Sequence, residues 1–338
     1  MKRSFYVMVR HIGMSSLQSV TRPSFPYRVF LSFLERAERG RKQGPIPVEV
    51  SPHVLAQLRK ITGTPSFPTM LSDLQIRGWS EVLVPGGDGP RPARLYRPRG
   101  KVRGVVLFLH GGGFVHCDLV SHHGICCRLA RQSGAMVLSL DYRLAPENRF
   151  PAAVEDAWAA LLWLAEQAKQ YHLPIAVAGD SAGGNLSALM ALRARDEGWP
   201  HLAAQVLFYP AVSGARAPLS RLAYADGFML TQRLLEWYGN QYLNDVMELT
   251  DPRFAPVFAQ HFDHLAPALI MTAKFDPLCG EGEMYCELLR EAGTPVEYRC
   301  FRHAIHGFLN AYALTVDGRR AIRLAASFLK REFAELPG

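Results

Sequence analysis

The chain has 338 residues and a mass of 37.7 kDa, with 49% hydrophobic and 20% charged residues and a formal net charge of +8. That balance excludes extensive disorder, and the length suffices for one large α/β domain with an added subdomain. The positive charge is scattered, with a local excess from Arg22 to Lys42 but no zinc-finger spacing, RNP-like aromatic motif or long Lys/Arg block, so it reads as a solvated surface and not as a nucleic-acid partner site.

Lys2 and Arg3 resemble the start of a secretion signal, but the apolar stretch Phe5–Val9 ends at Arg10, too early for a signal core. Met14 is an alternative start. No run reaches the length of a membrane span. Cys117, Cys126, Cys127, Cys279, Cys286 and Cys300 form no C-x-x-C pair, and several sit in apolar runs; this is the pattern of reduced thiols in a cytoplasmic protein. Residues 1–74 lack a strand–helix rhythm. Phe30, Phe33, Leu34 and Ala37 have helical spacing, and Pro45 and Pro47 break the chain. Ser51 caps a second helix with Pro52 in its first position, running through Val54, Leu55 and Leu58. These helices either pack on the main domain or form part of a lid, and a lid must do both.

Strand signals begin near Gln75. Arg77–Val84 and Ala93–Arg97 flank the turn cluster Pro85-Gly86-Gly87-Asp88-Gly89-Pro90 and read as a hairpin. Continuous apolar runs follow at Val105–Leu109, Ala135–Leu140, Ile175–Ala178, Gln205–Tyr209, Ala268–Thr272 and Val296–Phe301. Helical stretches alternate with them at Ser121–Arg131, Pro151–Lys169, Ala182–Arg195, Gly282–Glu291 and Arg319–Phe333. This alternation predicts an α/β fold with a mostly parallel sheet covered on both faces. The rhythm lapses between Ala211 and about Pro256, where Asp226–Leu243 reads as a helix rich in Tyr, Trp and Leu. An insertion after a strand end is where a substrate lid belongs.

The chemistry gathers at Gly179-Asp180-Ser181-Ala182-Gly183-Gly184, between a buried strand and a helix. This strand–turn–helix context makes Ser181 a nucleophile on a sharp elbow, with the helix N-terminus beside it for a developing oxyanion. Asp180 points away from the hydroxyl and organises the elbow. His110-Gly111-Gly112-Gly113 follows Val105–Leu109, and its bare N–H groups, with that of Ala182, can form an oxyanion hole. Asp276 follows a later strand as the acid, and His306 follows the last strand as the base. His303 is the close rival base and reads as an exposed loop histidine; Asp141, Asp251 and Asp263 lie in the wrong places for the acid.

Taken together, these strings resemble the hormone-sensitive lipase family of α/β-hydrolases, in its branch of microbial carboxylesterases. The matching stretches are His110-Gly-Gly-Gly-Phe114, Asp141-Tyr-Arg-Leu-Ala-Pro-Glu147, Phe150-Pro-Ala-Ala-Val-Glu-Asp156, Gly179-Asp-Ser-Ala-Gly-Gly184, Asp276-Pro-Leu278 and His306-Gly-Phe308. The resemblance implies an eight-stranded sheet with a helical cap built from residues 1–74 and about 211–256, on a catalytic domain spanning 75–338. It implies the triad Ser181, Asp276 and His306, with oxyanion donors Gly112, Gly113 and Ala182. One departure stands out: Cys279-Gly280 occupies the place where the family usually has a charged pair.

Three functions follow from this. The first is a serine carboxylesterase acting on short-to-medium acyl esters through an acyl-enzyme, without metal or cofactor. The others are an amidase or peptidase on the same fold, and a ligand-binding receptor, which has no need of His306. Phe25, Phe30, Phe33 and Leu34, with Phe228, Leu235, Trp237 and Tyr238, are the expected apolar side chains of the cap. The partner is a small-molecule ester, without stable membrane insertion; a homodimer through the last strand is an expectation from the family.

Overall fold

In the computed structural model, residues 22–39, 51–64 and 71–335 are described. The expectations for Lys2, Arg3, Met14, Pro45 and Pro47 lie outside those residues, as does the side chain of Leu34. One eight-stranded sheet carries the fold. Its strands are β1 (Gly78–Pro85), β2 (Pro90–Arg97), β3 (Val105–Leu109), β4 (Met136–Leu140), β5 (Ile175–Asp180), β6 (Leu202–Phe208), β7 (Ala268–Phe275) and β8 (Val296–Ile305). They lie in the order β1-β2-β4-β3-β5-β6-β7-β8. The hairpin β1–β2 is antiparallel and joins β4 antiparallel; every later pairing is parallel.

Parallel strands must be covered on both faces, and alternate residues show it. On β3, Val106 and Phe108 enter one apolar cluster, while Val105, Leu107 and Leu109 enter another. Helices α3 (His123–Ser133) and α9 (Val316–Glu335) cover the first face, with Ile125, Leu129, Ile322 and Leu329 buried there. Helices α4 (Ala152–Lys169) and α5 (Ala182–Asp196) cover the second, through Leu161, Leu164, Leu186 and Met190. Helix α8 (Cys279–Glu291) extends that layer beside β7, where Ile270 meets Tyr285 and Leu289.

All eight expected strands are present. The largest boundary difference is at β8, which continues four residues past Phe301 because a register shift against β7 between Ala273 and Phe275 keeps it paired up to Ile305. The N-terminal helices are α1 (Phe25–Arg39) and α2 (Pro52–Thr62), the latter capped by the Ser51 hydroxyl, which accepts from the Val54 N–H at 3.3 Å. Within 211–256 the helix predicted over Asp226–Leu243 begins only at Gln232, as α7 (Gln232–Tyr242), and a short helix that was not predicted, α6 (Leu219–Ala223), precedes it. Gly227 at φ 87° and Met229 at φ 68° turn the chain between them, and Thr231 restarts the helix as its cap. No helix among the described residues is long and apolar enough to cross a membrane.

Candidate active site

Ser181, Asp276 and His306 each follow the C-terminal end of a strand, β5, β7 and β8 in turn, so the parallel sheet delivers all three to one edge. His306 Nε2 lies 3.0 Å from Ser181 Oγ, and His306 Nδ1 lies 2.7 Å from Asp276 Oδ2. The other Asp276 oxygen accepts the Leu278 N–H at 2.8 Å. Asp276 is fully buried, and Tyr209 packs its ring 4.7 Å from the His306 ring, so the imidazole is held between a carboxylate and an aromatic wall.

The elbow is tight because its glycines leave no alternative. Ser181 has φ 53° and ψ −116°, a conformation that costs a non-glycine residue about 1–3 kcal/mol and persists only where its surroundings enforce it. A Cβ on Gly179 would run into the Gly183 carbonyl, and one on Gly183 would run into the Leu109 carbonyl. The strand, the helix and the end of β3 therefore pack backbone to backbone here.

A cavity of about 800 Å³ opens over Ser181. Gly112, Gly113 and Ala182 line it together with Ser181 and His306. The Gly112 carbonyl accepts from the Val115 and His116 N–H groups at 3.1 Å, which curls the loop with its glycines toward the serine. Asp180 also borders the cavity, and its carboxylate braces this loop. Its Oδ1 accepts the Gly111 N–H at 2.9 Å and lies 3.0 Å from His122 Nε2. Burial pushes the Asp180 carboxyl up, but the facing His122 and the Gly111 N–H outweigh it and hold the group below the ordinary range.

The rejected candidates sit elsewhere. His303 is exposed as expected but lies on β8 and not in a loop, with Nδ1 3.0 Å from the Arg22 carbonyl. His303→Ala is accordingly expected to keep at least about half of the parent kcat/KM, measured beside His306→Ala; equal losses in the two variants would break the assignment of the base. Asp251 pairs with Arg253 at 2.7 Å. Asp141 lines a separate shallow cleft with Asp118; burial and that second carboxylate push its own carboxyl up to about 6.

Asn185 and Glu281, which hold the site, were missed in the sequence, as was the polar contact made by Tyr238. Asn185, on the first turn of α5, donates its amide to the Ala211 and Phe254 carbonyls at 2.7 and 2.6 Å, tying both ends of the insertion to the elbow helix. An amide side chain among the small residues of a buried first turn was the available signal. Tyr238 of α7 lies over Gly113, where a Cβ would strike its ring, and its hydroxyl meets His116 Nε2 at 2.7 Å. Burial lowers His116 to about 4, so this contact keeps one protonation form through neutral pH. Fully buried Glu281 accepts the Val212 and Ser213 N–H groups at 2.9 Å and both Nε and Nη2 of Arg221, at 2.8 and 2.6 Å.

The Cys279-Gly280 departure has a physical account. The Ser220 hydroxyl donates to the Pro277 carbonyl at 2.6 Å and accepts the Gly280 N–H at 3.0 Å. A Cβ on Gly280 would press on Pro218 and Ser220. Helix α6 thus sits where a side chain at 280 would be, and it holds the acid loop directly.

Of the expected cap side chains, Leu235 and Tyr238 line the cavity and Trp237 is buried, while Phe228 stacks on Phe275 instead. Phe25, Phe30 and Phe33 do not line it; they are 69%, 43% and 70% exposed. Helix α1 packs instead through Tyr27 and Leu31 into the cluster under α3 and α9, because those are its only described apolar residues facing the sheet side. Among the described residues before 71, Thr62 alone reaches the cavity wall.

Comparison with known proteins agrees with this architecture. A family model described as the alpha/beta hydrolase fold matches residues 106–310. The carboxylic ester hydrolase LipN of Mycobacterium tuberculosis is 45% identical over 245 residues, which span 70% of this chain and 65% of that protein. An ethyl acetate hydrolase of Pseudomonas putida is 31% identical over 89% of this chain and 97% of its own length. Among solved structures, a hyperthermophilic esterase from the archaeon Pyrobaculum calidifontis superposes with a TM-score of 0.81 at 38% identity, covering 92% of this chain and 98% of its own. With that fold, that sheet and those relatives, the chain belongs to the α/β-hydrolase family, in its hormone-sensitive-lipase-like carboxylesterase branch.

Proposed function

We propose that the protein hydrolyses short-to-medium acyl carboxylic esters through an acyl-enzyme on Ser181. The observation that carries this reading is the continuous relay from Ser181 Oγ through His306 to Asp276 at the floor of a cavity. His306 Nε2 accepts the Ser181 proton as Oγ attacks the ester carbonyl. The negative charge that develops on the carbonyl oxygen is met by the N–H groups of Gly112, Gly113 and Ala182, each such donor contributing about 3–4 kcal/mol. The imidazolium returns its proton to the departing alcohol. Water then attacks the acyl-enzyme, giving its proton to His306, and Ser181 leaves with the proton restored. Asp276 accepts from Nδ1–H throughout, which fixes the tautomer and stabilises the imidazolium.

The substrate range follows from the cover over the serine. The insertion 211–256, held at both ends by Asn185, acts as the cap, and Leu230, Leu234, Leu235 and Tyr238 give the cavity an apolar wall. Each acyl methylene taken out of water adds about 0.8 kcal/mol until the space is full. kcat/KM for p-nitrophenyl esters is therefore expected to rise with chain length, peak at about four to eight acyl carbons and then fall. The series from acetate to palmitate tests it; palmitate as the best substrate, or a jump in rate above the solubility limit, would overturn it. A cytoplasmic location and a homodimer through β8, which lies at the sheet edge, belong to the same reading.

A further inference from the structure

Away from the cleft, Asp73, His123 and Cys127 bring a carboxylate, an imidazole and a thiol together. His123 and Cys127 stand one turn apart on α3, so their side chains leave the helix on one face. Asp73 comes from the short 3-10 turn Leu71–Gln75, just before β1. His123 Nε2 lies 2.6 Å from Asp73 Oδ1 and 3.5 Å from Cys127 Sγ, and that sulfur lies 4.0 Å from Asp73 Oδ1. The other ring nitrogen is also held, with Nδ1 3.1 Å from the hydroxyl of buried Tyr96. The Trp79 and Tyr96 rings, centred 5.4 and 5.3 Å away, fix the imidazole plane.

We propose that Asp73, His123 and Cys127 form a zinc-binding site that fastens the turn before the sheet to helix α3. Zinc bonds of about 2.0 Å to nitrogen and oxygen and about 2.3 Å to sulfur, in a tetrahedron, set ligand atoms about 3.3–3.6 Å apart. The imidazole–sulfur separation already has that value. The carboxylate must draw back from the imidazole by about 0.7 Å and close on the sulfur by about 0.4 Å to reach it. Asp73 is the ligand able to do so, since its side chain is 49% exposed on a short turn while His123 and Cys127 are buried on a helix.

The protons balance as well. Without metal, His123 Nε2–H donates to Asp73 and the Tyr96 hydroxyl donates to Nδ1. With zinc on Nε2 the ring proton moves to Nδ1, and the same hydroxyl accepts it, a reversal open to a phenol. A histidine ligand whose second nitrogen is bonded in this way is the usual supporting arrangement. The Cys127 thiol releases its proton to solvent, so one Zn2+ enters and one proton leaves. The thiolate and carboxylate then cancel the charge of the ion, which a half-buried site requires. Sulfur with imidazole selects a borderline-soft ion such as zinc over magnesium or calcium. The fourth position faces the exposed side of Asp73 and takes water.

The test is titration of the metal-stripped full-length protein with Co2+, followed by competition with Zn2+. One equivalent of cobalt is expected to bind with an intense near-ultraviolet thiolate-to-metal band, and zinc to displace it and raise the melting temperature. Asp73→Asn and Cys127→Ser are each expected to weaken zinc by at least about 100-fold, and Cys127→Ser to abolish the band. Circular dichroism checks that each variant folds; Asp73→Asn, at a half-exposed position, decides the matter if Cys127→Ser does not fold. No stoichiometric binding, or binding that survives these substitutions, overturns the site. Ester turnover does not enter the readout, so the result stands apart from the assignment of Ser181.

Discussion

Replacing Ser181 by alanine is expected to lower kcat for a p-nitrophenyl ester by about 10^5–10^6-fold, with the melting temperature within about 2 °C of the parent. The loss is large because Oγ is the only atom of the elbow aimed at both the cavity and His306. The fold is spared because the backbone bonds of Ser181 do not depend on its side chain: its N–H donates to the Phe208 carbonyl at 2.9 Å, and its carbonyl accepts from Asn185 at 2.9 Å. Gly179 and Gly183 still force the turn when the hydroxyl is gone. An organophosphonate should accordingly label Ser181 alone in the parent and nothing in the variant. Turnover near the parent rate, or a second labelled residue, would remove Ser181 from its role.

Asp276→Asn is expected to cost about 10^4-fold in kcat with little change in KM. The carboxylate is buried behind His306 and lines no part of the cavity, so it does not bind substrate. An asparagine fills the same space and can keep the Leu278 N–H on its carbonyl oxygen. Its amide group then faces Nδ1 and donates to it, which puts the ring proton on Nε2, where it points at Ser181. The base is present but has no lone pair to offer the serine. Steady-state kinetics and the rate of phosphonate labelling should fall together. A variant that loses affinity but not kcat would mean that Asp276 shapes the pocket and does not orient the base.

Both expectations rest on residues that were legible in the chain. Ser181, Asp276 and His306 each follow an apolar run and precede a change of pattern, so a reading of strand ends finds them. The inner parallel strands were legible for the same reason, since a strand buried on both faces is written as a continuous apolar run, whereas β1 and β2 were legible from the turn cluster between them. What local pattern does not encode is which surface a helix chooses. Helix α1 shows helical spacing, but nothing in it says that Tyr27 and Leu31 turn inward under α3 and α9 while Phe25, Phe30 and Phe33 face solvent. The supporting polar groups were hidden for a related reason. Glu281 and Asn185 bond to backbone groups about 70 residues away in one case and up to 69 in the other, and such partners have no signature in either segment. Cys279-Gly280 looked like an anomaly of the acid loop; it becomes intelligible only when Pro218 and Ser220 are seen against it.

The four hydrogen bonds received by Glu281 bear on how this enzyme can be redesigned. The carboxylate belongs to the helix that begins three residues after the acid, yet the three residues that donate to it, Val212, Ser213 and Arg221, all belong to the insertion. A chimera that imports a foreign insertion without an arginine at the place of Arg221 leaves a buried charge uncompensated, a loss of about 3–5 kcal/mol. The practical exchange unit for altering selectivity is therefore not the insertion alone but residues 211–256 grafted together with a matched position 281. Mutational libraries confined to Leu230, Leu234 and Leu235 avoid that joint and change the wall while leaving the hinge between recognition and chemistry intact.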